Sequence, residues 1–318
     1  MPFILRVRLT GLLEAASILT CMATLIGFAG QFGWVLDLAA HFRVQYALVL
    51  GLGALSALIR RKHHWATVFA GFALLNISLL MPRFLPSVEA AVSDDAPVFR
   101  VLLANINSAH RHPEAVRSAI ADEDPDFILL LEITPWMLEQ LADLADGYPY
   151  WIAEPREDNF GIALLSRQPL LKTEVLHFGP TKLPSILAEF PSGGQRFALL
   201  GTHLTPPVSA ELTQYRNEQL AMLAQHARHA DQPLLLLGDL NLSPWSAWFS
   251  QLLTSSGLQD SANGRGIQPT WPAGWPPLWI PIDHALFSEG IQIRRRAVGA
   301  DLGSDHYPVV VEFQVARR

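Results

Sequence analysis

The chain has a single cysteine, Cys21, set inside an apolar run. An intrachain disulfide and a cysteine metal cluster are both excluded, and cysteine usage says nothing about redox compartment. Basic charge is also not in excess. Lys and Arg number 23 against 29 Asp and Glu, for a net charge of -6 and a pI near 6.0. A dedicated nucleic-acid binder usually carries a basic face, so this balance argues mildly against tight DNA binding, although a local groove could still be basic. The sequence contains no internal repeat and no low-complexity tract.

Hydrophobic residues, by contrast, are abundant, at 50% of the chain with a mean hydropathy of +0.23. The excess is concentrated in the first eighty or so residues, and charged residues become frequent only after about Ser93. Residues 9–30, 44–59 and 65–81 form three apolar runs. A bilayer span needs ~20 apolar residues. The first run suffices, and the other two gain length if Arg43, Arg60 and Arg83 snorkel to the interface. None shows the one-sided stripe of a soluble core helix, and a signal peptide would explain only the first.

Basic loops set the expected orientation. Arg6 and Arg8 precede the first run, and Arg60, Arg61 and Lys62 separate the second and third, whereas Arg43 alone lies between the first two. The positive-inside rule then puts the N-terminus in the cytoplasm and everything after residue 81 outside, which in a bacterial inner membrane means the periplasm. Trp34, Trp65 and Phe84 fall where an aromatic belt would lie. The expected organisation is a membrane region of about three helices over 1–81, a linker over 82–97 and a soluble domain over 98–318.

Within the soluble part, residues 98–106, 127–132, 161–166, 196–203, 233–239, 283–287 and 308–313 read as short apolar strands. Residues 113–121, 209–228 and 246–254 read as helices, and Thr134 followed by Pro135 reads as the start of another. Strands mixed with helices in this way predict a layered α/β domain with buried sheets. Polar residues able to bind metal or phosphate recur at the strand ends: Asn105 and Asn107, Glu132, His203, Asp239 and Asn241, Asp283, and Ser304-Asp305-His306. A carboxylate buried beside an apolar strand is costly unless paired or metal-bound. Six such sites suggest convergence on one pocket.

The motifs Leu103-Ala-Asn-Ile-Asn, Leu130-Leu-Glu, Gly161-Ile-Ala-Leu-Leu-Ser, Thr202-His, Gly238-Asp-Leu-Asn-Leu-Ser-Pro, Ile282-Asp-His and Gly303-Ser-Asp-His-Tyr-Pro-Val occur in this order. In that order the chain, from about Val98 to Phe313, resembles the endonuclease/exonuclease/phosphatase superfamily. The resemblance implies a two-sheet α/β sandwich of the DNase I type, with the active site at one edge, and a metal-dependent hydrolase of phosphate esters. It implies Glu132 as principal metal ligand, with Asn107 and Asp305 in the same shell. Asn105 would support Glu132, and Asp239 would orient or deprotonate the attacking water. Asn241 would hold the phosphate, and His306, oriented by Asp283, would contact it. His203 would donate to the phosphate or protonate the leaving oxygen.

The chemistry agrees with these roles. Oxygen ligands suit Mg²⁺ or Mn²⁺ rather than zinc, and phosphoryl transfer needs a metal, donors around the phosphate oxygens and a base for water. Each residue also has a plainer reading as a turn former, ion-pair partner or core histidine. Strand alternation turns His284 away from Asp283, and His110, His112 and His177 read as surface residues. Asn159 and Trp271 are expected to touch substrate. Trp271, Trp275 and Trp279 share a proline-rich loop over 269–281 that could stack bases or enter a membrane interface. The expected partners are a phosphate-ester substrate, either nucleic acid or a phospholipid or its head group, and the bilayer, with no protein partner indicated. The alternative is a membrane-anchored binding or scaffold domain without activity.

Overall fold

The structure, a computed structural model, describes residues 8–85 and 96–316. Three long helices come first: α1 (Leu9–Ile26), α3 (Arg43–Ile59) and α4 (His63–Leu80), with the short α2 (Trp34–Leu38) between the first two. The first apolar run does not stay α-helical to its end, because a 3-10 helix follows over Gly27–Phe32. Gly27, where this begins, is a point of close approach: a Cβ there would sit 2.5 Å from Arg43 Nη2 and 3.0 Å from the Ala39 carbonyl oxygen. The chain has to fold back tightly over this point.

These helices bury polar side chains beside a small apolar cluster of Leu50, Ala57, Phe69 and Ala73, and they expose large apolar side chains. Ser17, Thr20 and Thr24 of α1 and Asn76 of α4 are buried, whereas Leu12, Leu19, Leu48, Leu52, Leu55 and Leu74 are each more than half exposed. Asn76 donates to Thr24 Oγ1 at 2.9 Å, and Arg43 donates to the Thr24 carbonyl at 3.0 Å. At the far end Glu14 accepts from Lys62 at 2.6 Å and pairs with Arg60 at 3.0 Å. Leu9–Phe32 (24 residues) and His63–Arg83 (21 residues) are long and apolar enough to cross a bilayer, whereas Arg43–Ile59 is shorter.

The remaining elements are β1 (Val98–Asn105), α5 (Pro113–Glu123), β2 (Phe127–Leu131), α6 (Pro135–Gln140), β3 (Tyr150–Glu154), β4 (Ile162–Ser166), β5 (Lys172–Phe178), β6 (Leu183–Ser192), β7 (Gln195–His203), α7 (Ala210–Arg228), β8 (Leu234–Asp239), α8 (Ala247–Ser256), β9 (Gln259–Asp260), β10 (Asp283–Phe287), β11 (Ile291–Val298) and β12 (Val309–Val315). They form two six-stranded sheets, ordered β11-β12-β1-β2-β4-β3 and β5-β6-β7-β8-β10-β9. The expected two-sheet α/β sandwich is therefore the observed fold.

Strand parity explains the layers. In β8, Leu235 and Leu237 enter the core between the sheets, and Leu234 and Leu236 pack under α7 and α8. An unbroken leucine run is what a strand buried on both faces requires. The inter-sheet core also holds Phe127, Phe190, Phe197 and Phe313, whose rings lie 4.6–6.4 Å from Phe127 or from one another. A second core under α5 and α6 includes Val116, Ile120, Leu130 and Met137. Thr134 caps α6 as expected, accepting from Met137 N at 3.2 Å.

The helical region is docked onto the sandwich. Arg83 pairs with Asp260 at 2.8 Å, both nearly buried. The Pro82 carbonyl accepts from Gly264 N at 3.0 Å. The start of the expected linker is thus a packed contact, and 86–95 lie outside the described residues.

Candidate functional site

Parity also places the polar strand ends. β1 and β2 run parallel, as do β7 and β8, with His203 level with Asp239. β10 runs antiparallel to β8, so its first residue, Asp283, pairs with Asp239. Asn105, His203, Asp239 and Asp283 each continue the alternation of a core-facing series, such as Val101 and Leu103 before Asn105. All four side chains therefore emerge at the same edge of the sandwich. His284, one step out of phase, is buried on the other face, with Nε2 2.9 Å from the Leu242 carbonyl and its ring 4.6 Å from Phe249.

The groups converge on one oxygen. Asp239 Oδ2 lies 3.3 Å from Asn105 Nδ2, 3.4 Å from His203 Nε2 and 3.7 Å from His306 Nε2. Asp239 Oδ1 accepts from Asn241 N at 2.9 Å. Asn105 Nδ2 also donates to Glu132 Oε1 at 3.0 Å, and Glu132 Oε2 accepts from Ser108 N at 3.0 Å. Asn241 Nδ2 donates to the Leu204 carbonyl at 2.8 Å and lies 3.4 Å from His203 Nε2.

Asn107 (φ 59°), Glu132 (φ 61°) and Asn241 (φ 53°) have left-handed backbones one or two residues past the ends of their strands. Asn tolerates that region and Glu rarely visits it, so the conformation at Glu132 is held by its surroundings.

His306 Nδ1 lies 2.8 Å from Asp283 Oδ2, both buried. Burial alone would lower this imidazole, but Asp283 beside it, with Asp239 and Asp305 nearby, outweighs burial and pushes it up to about 10. Burial likewise opposes protonation of His203, yet the Asp239 carboxylate raises it. Burial would raise Asp239 in turn, and the two histidines hold it below the usual carboxylate range. The site is therefore a carboxylate flanked by two imidazoles that favour their charged form. Asp283 Oδ1 and His203 Nδ1 are buried without a partner.

Asp305 and Glu132 line the same cavity. Asp305 Oδ1 accepts from Asn107 Nδ2 at 2.8 Å and Oδ2 from Trp271 Nε1 at 3.2 Å. Asn107 Oδ1 accepts from Ala109 N at 2.9 Å, so Asn107 braces Asp305 rather than turning an oxygen toward Glu132. Asn159 lines the cavity and accepts from Ser108 Oγ at 2.6 Å. Asp239, Asp283 and His306 also lie close enough to share an ion, their ligand atoms all within 4.8 Å. An imidazole already engaged by Asp283 and biased to its charged form is a poor metal ligand, because metal binding needs the neutral ring. Glu132 and Asp305 offer carboxylate oxygens alone, the donor chemistry that suits Mg²⁺ or Mn²⁺.

Further side chains support the site, and of these Thr270 and Arg296 lie outside the motifs. Ser304 Oγ donates to the Asn105 carbonyl at 2.8 Å and accepts from His306 N at 3.2 Å, pinning the last loop to the end of β1. Thr270 Oγ1 accepts from Asp283 N at 3.1 Å, and Arg296 donates to the Asp283 carbonyl at 3.0 Å. His110, expected at the surface, is buried against Gly303 and His112.

The least expected contributor is the segment around α2. Arg216 Nη2 reaches Asp37 Oδ2 at 2.8 Å, with both side chains buried, and Arg216 Nη1 donates to the Asn241 carbonyl at 3.1 Å. Asp37 Oδ1 accepts from Ser246 Oγ at 2.7 Å, and His41 Nδ1 lies 2.9 Å from Ser243 Oγ. The loop carrying Asn241 is therefore gripped from the N-terminal region.

Residues 102–306 match the sequence profile of the Endonuclease/Exonuclease/phosphatase family. No curated protein matches the chain significantly. Among solved structures, TDP2 of D. rerio complexed with a single strand DNA product is similar, at 18% identity and a TM-score of 0.58 over 69% of this chain and 99% of that one. The human Nocturnin catalytic domain with a bound sulfate anion is 20% identical with a TM-score of 0.57, over 74% and 99%. Sphingomyelinase C from Streptomyces griseocarneus is 18% identical with a TM-score of 0.52, over 70% and 100%. At these identities the likeness carries the fold alone.

Proposed function

The chain belongs to the Endonuclease/Exonuclease/phosphatase family of phosphate-ester hydrolases, and from that premise we propose that it is a membrane-anchored phosphoesterase working with Mg²⁺ or Mn²⁺. The observation that carries the reading is the convergence of Asn105, His203 and His306 on Asp239 Oδ2, at 3.3–3.7 Å. These separations are longer than good hydrogen bonds, and such groups often tighten only around a bound reactant.

In this reading Glu132 and Asp305 hold the ion, with Asn107 fixing Asp305 and Asn105 fixing Glu132. When bound, the ion neutralises charge on the phosphate oxygens. Asp239 orients the attacking water and accepts its proton. His306, kept charged and oriented by Asp283, donates to a phosphate oxygen. Asn241 adds a second donor. His203 stands beside Asp239 to donate to the phosphate or to the leaving oxygen. Asn159 and Trp271 form part of the substrate wall.

The polar side chains buried among the helices and the large apolar ones they expose support the anchor. Buried Ser, Thr and Asn with outward Leu is the pattern of helices that pack together in lipid. With α1, α3 and α4 in the bilayer, the basic loop over residues 60–62 is at the end remote from the sandwich, and the positive-inside rule puts the sandwich on the outer side. An assay of the full chain in detergent with Mg²⁺ or Mn²⁺ against plasmid DNA, a water-soluble phosphodiester and phospholipid vesicles tests the reading. Turnover of one of them, abolished by chelation, supports it. Turnover that survives chelation, or none with any of the three, counts against it.

A further inference from the structure

The cavity in front of Asp239 has a volume of about 920 Å³, and its two halves differ in chemistry. One half carries Glu132, His203, Asp239 and His306. The rest is largely apolar, with Asp158, Asn159 and Thr181 among it, and part of it comes from outside the sandwich: Trp34, Leu38 and Phe42 line it from the segment between α1 and α3, together with Val208 and Leu212 around the start of α7. Trp34 and Leu38 are four apart on α2, and Phe42 follows in the turn that leads into α3. Asp37 and His41 are the residues that bind Arg216, Ser246 and Ser243. The segment is thus bolted down through Asp37 and His41, while Trp34, Leu38 and Phe42, with His41 beside them, line the cavity.

The occupant can be argued from these walls. Among the described residues lining the cavity there is no Lys or Arg. A nucleic-acid strand, whose affinity rests on neutralising successive phosphates, finds no partner beyond the first. An aliphatic chain finds Leu38, Phe42, Leu212, Val208 and Ile282. The segment joins the ends of α1 and α3, and it exposes Phe28, Phe32 and Val35 close by, so the apolar half of the cavity adjoins the helices that carry the apolar outer surface.

We propose that Trp34, Leu38 and Phe42 form the hydrocarbon half of the substrate site, and that the substrate is a lipid phosphate ester taken from the bilayer, its phosphate against His203 and His306 and its chain along this wall. The inference rests on the phosphoesterase reading above. It makes the N-terminal region part of the enzyme's specificity and not a tether alone.

The test uses the full chain in detergent with Mn²⁺ and a series of nitrophenyl phosphodiesters bearing methyl, butyl or octyl groups, each below its micellar concentration, with plasmid DNA beside them. The expected result is kcat/KM rising about two- to threefold per methylene, approaching the gain from moving a CH₂ group out of water. Leu38→Asp flattens that slope, and the milder Leu38→Ala and Phe42→Ala lower it if the first variant does not fold. The slope, not the absolute rate, is the readout, because a purely structural defect lowers all three esters together. A flat slope in the unmodified chain overturns the proposal while leaving the phosphoesterase reading standing, as does plasmid cleavage faster than that of the octyl ester. Failure to cleave any substrate overturns both.

Discussion

Arg216 of α7 and Asp37 of the N-terminal segment form a fully buried ion pair at 2.8 Å, and the same guanidinium donates to the backbone carbonyl of Asn241. Breaking one partner of such a pair leaves an uncompensated buried charge, at a cost of ~3–5 kcal/mol. Asp37→Ala is expected to lower the thermal midpoint in detergent and to reduce kcat through displacement of Asn241. The double variant Asp37→Leu/Arg216→Met, which buries no charge, recovers most of the stability. Equal destabilisation of the single and double variants would show that the charge pair is not what holds the segment.

His41, on the same segment, reports on docking through pH. Burial holds its imidazole down to about 4, with Asp37 opposing and Arg216 and Arg43 reinforcing that shift. The neutral ring is part of the folded contact with Ser243, so the stability it permits is fully present above about 6.5 and is lost as pH falls toward 4, by on the order of 3 kcal/mol. Thermal midpoints measured from pH 7.5 to 4.5 should fall more steeply for the native chain than for His41→Gln. Parallel curves contradict this role.

Asp283 sets the orientation of His306 through its 2.8 Å contact. Asp283→Asn keeps the shape but removes the charge that keeps the ring protonated. A loss of ~10²–10⁴ in kcat with little change in KM is expected, the range for a positioned acid or base. Steady-state kinetics on a soluble diester decide it, and a change confined to KM would assign Asp283 to binding.

Asn105 contacts both Glu132 and Asp239. Asn105→Ala is expected to raise the Mn²⁺ concentration for half-maximal activity ~10–100-fold, the usual cost of losing an outer partner of a metal ligand. An unchanged metal titration with a lower kcat would place Asn105 with the phosphate instead.

The strand-end residues were legible in the sequence because parity is local: a run such as Leu234-Leu-Leu-Leu-Gly-Asp fixes which way Asp239 points once the sheet is buried on both faces. The outward turn of His284 follows from the same rule. Strands that break local rules were not legible. β6 contains Pro184 and Pro191, residues that argue against a strand, and β11 carries three successive arginines with a bulge between Ile293 and Arg295. Lys172–Phe178 begins with three polar residues that are exposed. The role of Asp37 and Arg216 was also hidden, since nothing in an apolar run or an amphipathic helix announces a partner 179 positions away. Asn107 illustrates a further limit: its place beside Asp305 was legible, but which side-chain atom it offers depends on Ala109 N.

The most direct measurement is turnover of a water-soluble phosphodiester by the full chain in detergent, with Mg²⁺ or Mn²⁺, before and after chelation, beside His306→Ala. Hydrolysis that stops on chelation, returns with added metal and falls by at least ~10² in the variant is the result predicted from the groups gathered at Asp239. Hydrolysis of equal rate in His306→Ala, or indifferent to chelation, would contradict it.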